Sequence, residues 1–265
     1  MSSDYQYALN EAKRDENIVL SMTSYPQRFE SIHLTIKSLM LQTMKPDKFI
    51  VWLDDYVTRD QYTEEMIHLE KYGIEYKPRY GDLKPHKKYI YAMQEYPESL
   101  IITVDDDLIY AKDLIESLVK THRKYPKEVC ARRVHRITRN AKGNIASYNE
   151  WEGEYMLKKT PAHDLFATGV GGVLYPPHCV SDRTFDMDLI MKLSLHQDDI
   201  WLKFMEWMAG TKVVWAPSRI PVPQEIKESQ GVNLRSENVG RSQNDVCFHN
   251  VAKYFEKELD IMKDI

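Results

Sequence analysis

Three consecutive carboxylates, Asp105, Asp106 and Asp107, directly follow the apolar run at residues 100–104. A short run rich in Ile and Val is typical of a buried strand. In an open α/β sheet, ligands bind outside the carboxyl ends of the strands. Three carboxylates at such an end repel one another, and a divalent cation offsets that repulsion. The triplet therefore favours a site for Mg²⁺ or Mn²⁺ together with substrate phosphates.

A second interpretation of the triplet is open at this point. Asp is favoured near helix N-termini, where free backbone N–H groups and the helix dipole stabilise negative charge. A helix is predicted soon after the triplet, because Leu114, Ile115, Leu118 and Val119 recur at helical spacing. The three carboxylates would then form a solvated turn before that helix.

Two more pairs of carboxylates lie next to predicted elements. A strand predicted at residues 49–53 ends in Asp54 and Asp55. Asp198 and Asp199 open a segment in which apolar residues follow helical spacing, and Asp198 is a natural N-cap. Both pairs have a structural alternative: the first starts a turn, and the second serves the helix N-terminus.

The elements that position these carboxylates alternate between strand-like and helix-like patterns. This alternation predicts an α/β fold with a mostly parallel central sheet and helices on both faces. One helix is predicted with Ser31 as its N-cap, and residues 79–88 are predicted as a loop. The predicted strands are residues 17–22, 49–53, 74–77, 100–104, 129–137 and 211–215.

Composition limits the classes of protein. The chain has 265 residues, 43% of them hydrophobic, so a sizeable core is possible. A net charge of −4 gives no reason to expect a nucleic-acid partner. Three widely spaced cysteines form neither a metal-binding spacing nor a disulfide framework, which favours a reducing compartment. No apolar run approaches the ~18 residues of a membrane span. We therefore expect a cytoplasmic protein with at most peripheral contact with the inner face of the membrane.

A basic stretch at residues 123–139 allows two interpretations. Seven Lys or Arg residues stand there against one acid, Glu128. Such a stretch suits anionic lipid or a lipid-linked diphosphate. It also suits a solvated strand edge, where positive charge discourages aggregation.

Four pieces in order carry a resemblance to a known family. They are a polar loop at residues 23–28 after the first strand, the pair Asp54–Asp55, the Asp105–Asp107 triplet, and a late Asp198–Asp199 pair. Together they resemble the GT-A glycosyltransferases, particularly bacterial enzymes that build surface polysaccharides such as capsule. The resemblance covers residues 17–215. It implies a Rossmann-like α/β fold of GT-A type and a nucleotide-sugar donor.

The resemblance also implies roles for individual residues. The triplet would be the DxD-type motif, with Mn²⁺ or Mg²⁺ as the cofactor. The implied metal ligands are Asp107, Asp105 and His249. The implied donor-binding residues are Thr23, Tyr25, Arg28, Asp54, Asp55, Lys84, Lys88, Asp105 and Asp106. Arg28 could instead form a surface ion pair, and Lys84 and Lys88 could be solvated.

In inverting members of the family, an acidic residue at the position of the Asp198–Asp199 pair is the general base. We expect Asp199 to take the proton from the acceptor hydroxyl, with Asp198 as the N-cap. In a retaining enzyme of the same fold, the pair would orient substrate instead. A sugar nucleotidyltransferase and a non-catalytic sugar-binding module are rivals of a different class.

The expected protein is a single GT-A-like domain over residues 1–265. Residues 17–127 would form the nucleotide-sugar half, and residues 128–265 the acceptor half with a C-terminal loop and helix. It would move a sugar from a nucleoside diphosphate, most simply a UDP-sugar, to a saccharide acceptor, free or lipid-linked. The Gly169–Gly172 stretch would line the acceptor pocket. The polar loop at residues 221–244 would close over the donor.

Overall fold

A computed structural model describes residues 7–218, 223–226 and 243–259. The predicted loop at residues 221–244 falls largely outside these stretches. Within them, no helix has the length and apolar character needed to cross a bilayer.

The strands are β1 Ile18–Thr23, β2 Lys48–Asp54, β3 Ile74–Arg79, β4 Leu100–Thr103, β5 Leu108–Ile109, β6 Val129–Ala131, β7 Val134–Arg136, β8 Leu165–Ala167, β9 Val173–Tyr175, β10 Val213–Trp215 and β11 Gln224–Glu225. The α-helices are α1 Phe29–Met40, α2 Glu64–Leu69, α3 Lys87–Glu95, α4 Leu114–Lys124, α5 Met187–Leu193, α6 Asp198–Met208 and α7 Gln243–Tyr254.

A seven-stranded sheet forms the centre of the molecule, in the order β10-β6-β9-β4-β1-β2-β3. β9 runs antiparallel to its neighbours β4 and β6, and the other pairs in the sheet are parallel. This confirms the predicted α/β class and the mostly parallel sheet. The sheet places the carboxyl ends of β1, β2 and β4 side by side. The residues that follow these strands therefore meet at one edge.

Alternating side chains of the central strands fill a core on each face of the sheet. Val19, Ile50 and Ile101 belong to one core, which also contains buried residues of α3 and α6. Leu20, Phe49 and Ile102 belong to the other, which contains buried residues of α1, α2 and α4. Burial of each such side chain contributes roughly 1.5–3 kcal/mol. Strands that are apolar on both faces are expected for a sheet that helices cover on both sides.

Three local predictions are wrong. Helix α1 begins at Phe29, with Arg28 rather than Ser31 in the N-cap position. Helix α3 begins at Lys87, so Lys88 lies in a helix and not in a loop. The single strand predicted at residues 129–137 is two short strands in different sheets: β6 joins the central sheet, and β7 pairs with β8.

Close packing of the backbone accompanies the break between β6 and β7. The Arg132 backbone N–H donates to the Gly172 carbonyl oxygen at 3.2 Å, and the Arg132 side chain ion-pairs with Asp113. A Cβ atom on Gly171 would lie only 2.7 Å from the Arg133 backbone nitrogen. A glycine is required at 171 because its backbone packs against residues 132 and 133 as the chain leaves the sheet.

Candidate active site

The triplet lies at the carboxyl edge of the sheet, directly after β4 and the buried Val104. The Val104 N–H donates to the Ser21 carbonyl oxygen at 3.0 Å, which extends the register with β1. The loop after β1 begins beside β2, because the Thr23 hydroxyl donates to the Trp52 carbonyl oxygen at 3.0 Å. Parallel pairing of β1 with both neighbours therefore brings the loop at residues 23–28 next to the triplet.

Asp106 is bound to the loop after β1. The Ser24 hydroxyl donates to Asp106 Oδ2 at 2.6 Å, and the Thr35 hydroxyl of α1 donates to the Asp106 carbonyl oxygen at 2.9 Å. Burial raises the pKa of Asp106 to about 7, against the opposing effect of the Ser24 hydrogen bond. Asp106 is thus held by its neighbours, and about half of its carboxyl groups are protonated at neutral pH.

Asp107 faces a different partner. Its Oδ2 lies 3.3 Å from Nη2 of Arg28, a residue that is buried and not at the surface. Arg28 Nε also donates to the Tyr25 hydroxyl at 3.2 Å. Burial raises the pKa of Asp107, and the negative charges of Asp105 and Glu225 act in the same direction. Tyr25, Arg28 and Asp107 therefore form one connected group.

Lys88 links the triplet to the second carboxylate pair. Its Nζ lies 2.7 Å from Asp105 Oδ1 and 2.9 Å from Asp198 Oδ2. Burial lowers the pKa of Lys88, but attraction to Asp105 and Asp198 outweighs this and raises the pKa well above its usual value. Lys88 is 5% exposed, so it is not the solvated lysine that one interpretation of the sequence expected.

Asp198 and Asp199 begin helix α6, but neither is its N-cap. Gln197 occupies that position without a side-chain cap, so the prediction that Asp198 caps the helix is wrong. Asp198 is the first helical residue and pairs with Lys88 instead. Burial raises the pKa of Asp198, but the charges of Lys88 and His86 outweigh it, and the pKa is lowered.

Asp199 has the opposite electrostatic environment. Both of its carboxylate oxygens accept the Gly169 N–H, each at 3.1 Å. Burial, reinforced by the negative charge of Asp198, raises the pKa of Asp199 to about 8. A Cβ on Gly169 would lie 3.2 Å from Lys88 Nζ, 3.3 Å from Asp199 Oδ1 and 3.6 Å from Asp105 Oδ1. The Asp105–Asp107 triplet and the Asp198–Asp199 pair thus meet beside Gly169.

The pair at the end of β2 is divided between the interior and solvent. Asp54 is 3% exposed, ion-pairs with the buried Lys87 and accepts a hydrogen bond from the Tyr56 hydroxyl at 3.2 Å. Asp54 also starts a turn, because its carbonyl oxygen accepts the Val57 N–H at 3.0 Å. Asp55 is exposed. Lys84 is also exposed and forms an ion pair with Asp82.

The remaining predicted metal ligand, His249, lies on the C-terminal helix α7. It is exposed on α7 and lines a surface cavity with residues 145–147, Asp245 and Phe248. Within the three described stretches, no group of three or more His, Cys, Asp or Glu side chains has the arrangement of a metal centre. The ligand role of His249 stays a prediction.

Sequence reasoning missed several residues of this region. Ser24 binds Asp106, and Lys87 binds Asp54. β11 pairs with β5 so that Glu225 lies opposite Leu108, which places a further carboxylate near Asp107. One signal was available for Lys87: it begins a helical segment next to apolar residues, where a buried lysine needs a carboxylate partner. A contact between residues 118 positions apart, such as Asp107 with Glu225, has no local signal.

The fold and the site define a class. A mostly parallel sheet with flanking helices and acidic groups at its carboxyl edge is the GT-A arrangement. The chain belongs to glycosyl transferase family 2, whose sequence model matches residues 22–175, more than half of the chain.

A comparison with solved structures supports the fold. Residues 1–349 of S. aureus TarS in complex with UDP align with a TM-score of 0.53 at 12% sequence identity. The alignment covers 89% of this chain and 65% of the TarS chain, so the present chain spans less than two thirds of that structure. No curated protein matches the sequence.

Proposed function

We propose that the protein is a metal-assisted, inverting glycosyltransferase that moves a sugar from a UDP-sugar to a hydroxyl group of a saccharide. The observation that carries the proposal is Asp199. It lies beside the Asp105–Asp107 triplet but on a separate helix, and its pKa is about 8. A carboxylate with a pKa near the working pH is suited to general base catalysis.

The triplet supports a divalent cation through the chemistry of its oxygen donors. Asp106 is held by Ser24, which leaves Asp105 and Asp107 as the ligands that we propose, with His249 kept as the third ligand that the resemblance predicts. Burial and the negative charge of Asp105 raise the pKa of Asp107, and the positive charge of Arg28 only partly opposes them. A divalent cation held there supplies Lewis-acid stabilisation of the departing diphosphate.

The residues of the chain would carry out the remaining steps. Asp199 accepts the proton of the acceptor hydroxyl as that oxygen forms a bond to the anomeric carbon. The bond between the anomeric carbon and the diphosphate oxygen breaks, and its electron pair leaves with the nucleoside diphosphate. Attack opposite the leaving group inverts the configuration at the anomeric carbon. Arg28, buried beside Asp107, stabilises negative charge on the diphosphate.

The donor site that we propose follows the carboxyl edge of the sheet. Tyr25 would stack on the nucleotide, and Thr23, Asp54, Asp55 and Lys84 would complete its surroundings. The UDP bound to TarS supports uracil as the base. Residues 17–127 would supply this donor half and residues 128–265 the acceptor half. The acceptor would be a saccharide of a surface polysaccharide, free or lipid-linked, reached from the cytoplasm.

A thermal-shift panel tests donor binding. UDP, GDP, CDP and ADP are each added with Mn²⁺ or with EDTA to the wild-type protein, to Asp107→Asn and to the control Asp15→Asn. Asp15 is an exposed residue outside the site. A ligand that binds only the folded state raises the melting temperature. We expect UDP with Mn²⁺ to stabilise the wild type and the control but not Asp107→Asn. Equal shifts with Mn²⁺ and with EDTA would contradict metal dependence.

The stereochemical outcome is measured separately. Proton NMR of the first turnovers with a UDP-sugar of known α configuration reports the anomeric configuration of the product. An inverting enzyme produces the β-anomer. An α product would contradict the role of Asp199 as the base, and the pair at the start of α6 would then orient substrate.

A further inference from the structure

Lys88 is a buried cation shared by carboxylates from two distant parts of the chain. Asp105 follows β4, and Asp198 begins α6, yet Lys88 Nζ lies within 2.9 Å of an oxygen of each. Burial of a lysine is unfavourable unless its charge is paired. Here Lys88 joins the Asp105–Asp107 triplet of the proposed donor site to the Asp198–Asp199 pair, which contains the proposed base.

The position of Lys88 is closely defined by its surroundings. Its backbone carbonyl oxygen accepts the Ser21 hydroxyl of β1, and the Ser21 oxygen in turn accepts Trp52 Nε1–H of β2 at 2.8 Å. A Cβ on Gly169 would lie 3.2 Å from Lys88 Nζ, so the side chain packs directly against the Gly169 backbone. Both ends of Lys88 are thus held by the sheet edge and the Gly169 turn.

The same contacts connect Lys88 to Asp199. Lys88 binds Asp198 in the first turn of α6, and the next residue, Asp199, is bound by the Gly169 N–H. If the bond to Asp198 is lost, the first turn of α6 loses one of the contacts that orient it toward the triplet. Small displacements of a catalytic group are costly, because the reacting atoms must lie within a narrow range of distances.

We propose that Lys88 is a positioning residue that connects Asp105 to Asp198, orients Asp199, and competes with a divalent cation for Asp105. The inference rests on the proposed function for the cation and the base. The role differs from that of a residue that only binds the donor, because the ammonium group of Lys88 is directed to two carboxylates of the protein.

The proposal predicts two effects of opposite sign. Without the ammonium group, Asp105 keeps its full negative charge and binds a cation more tightly. Without the contact to Asp198, Asp199 is less well placed and transfer is slower. A lysine with a merely structural role would weaken both properties when it is replaced.

Lys203 provides a matched control. It is 1% exposed and pairs with Glu206 of the same helix, with an Nζ–Oε2 distance of 3.1 Å. Replacement of Lys203 by Met removes a buried lysine and its ion pair without removing a contact to the triplet. An effect that Lys88→Met and Lys203→Met share results from the loss of a buried ion pair. An effect seen only in Lys88→Met results from the place of Lys88 between the triplet and α6.

The first experiment measures Mn²⁺ affinity without nucleotide, by electron paramagnetic resonance of the free ion. We expect Lys88→Met to bind Mn²⁺ more tightly than the wild type by roughly tenfold, because a positive charge next to a ligand has been removed. Lys203→Met should bind as the wild type does. Asp198→Asn should bind Mn²⁺ more weakly, because Lys88 then pairs with Asp105 alone. The Asp198→Asn variant keeps the test decisive if Lys88→Met does not fold.

The second experiment measures transfer. For Lys88→Met, kcat should fall on the order of 100-fold while the donor KM changes by less than about threefold. Unchanged or weaker Mn²⁺ binding in Lys88→Met, or unchanged binding in Asp198→Asn, overturns the inference and leaves the proposed function intact. Absence of Mn²⁺ binding in the wild type, with and without UDP, overturns both the inference and the proposed metal dependence.

Discussion

The Asp105–Asp107 triplet and the Asp198–Asp199 pair differ in how their side chains are bound. At the end of β4, the three consecutive side chains reach three different partners: Lys88, Ser24 and Arg28. At the start of α6, two consecutive side chains reach one cation, Lys88, and one backbone N–H, that of Gly169. Each group nevertheless contains one acid with a strongly raised pKa, Asp106 in the first and Asp199 in the second.

The difference shows that a raised pKa does not by itself identify the reacting group. The Asp106 carboxyl group accepts the Ser24 hydroxyl and its main-chain oxygen accepts the Thr35 hydroxyl, so the residue is fixed between the loop after β1 and α1. Asp199 is bound by the N–H of Gly169, the residue on which Lys88, Asp105 and Asp199 converge. We therefore assign the proton transfer to Asp199 and a supporting role to Asp106. The predictions below test this assignment.

The largest effect is expected for Asp199→Asn. The amide keeps an oxygen that accepts the Gly169 N–H but cannot take a proton from the acceptor, so kcat should fall by roughly 10²–10⁴-fold. Donor binding should persist, because Asp199 does not contact the donor in the proposed arrangement. Steady-state kinetics with UDP-sugar and acceptor give the comparison. Asp188→Asn, an exposed acid in the first turn of α5, is the control. A variant with more than a fifth of the wild-type rate would refute the assignment.

The next effect is the dependence of the rate on pH. Asp199 acts as a base only when it is ionised, and its pKa is about 8. Well below that pH the value of kcat should rise about tenfold per pH unit, and the total rise between pH 6 and 8 should be about 50-fold, because half of the carboxyl groups are ionised at the pKa. Above it, kcat should level off. A profile of kcat that is flat from pH 6 to 8 would show that another group takes the proton.

Asp107→Asn tests the other group. The variant should lose the Mn²⁺-dependent stabilisation by UDP, which amounts to about 2.7 kcal/mol when the ligand is at 100 times its Kd. This corresponds to a loss of roughly 5–10 °C in the ligand-induced melting shift for a chain of this size. Differential scanning fluorimetry with and without EDTA measures it. A full shift in the variant would remove Asp107 from the cation site.

The strands that end at the site were predictable from sequence. Which side chains pair with one another at that edge of the sheet was not. Apolar β-branched runs before Asp54 and Asp105 indicated both the strands and the end at which ligands bind, because this signal is local. The burial of Lys88 is not local. It depends on how α3 packs on β1 and on where the chain returns at Asp198, 110 residues later.

The same reason explains the two local predictions that failed nearby. Asp198 has the residue type of an N-cap, but a buried ammonium group attracts a carboxylate more strongly than a free backbone N–H does. The run at residues 129–137 has the composition of one strand, but the chain leaves the sheet at Arg132 and Arg133, where Gly171 packs against the backbone. In both places a tertiary contact outweighs the local preference.

The smallest effect is expected for Asp106→Asn, and it tests the other side of the comparison. The folded-state pKa of about 7 lies above the usual value of 3.8, so the folded protein binds more protons than the unfolded chain. The contribution of Asp106 to wild-type stability should therefore be greatest below pH 4 and be lost as the pH rises through about 7.

The amide of Asp106→Asn does not ionise and still accepts the Ser24 hydroxyl, so this loss disappears. We expect the variant to melt a few degrees above the wild type at pH 8 and at the same temperature near pH 4, with kcat within about threefold of the wild type. Melting curves across this pH range and donor kinetics decide the matter. A raised donor KM with no gain in stability would instead assign Asp106 to the donor, as the family resemblance implies, because an acid that contacts ribose must be ionised to accept its hydroxyl protons.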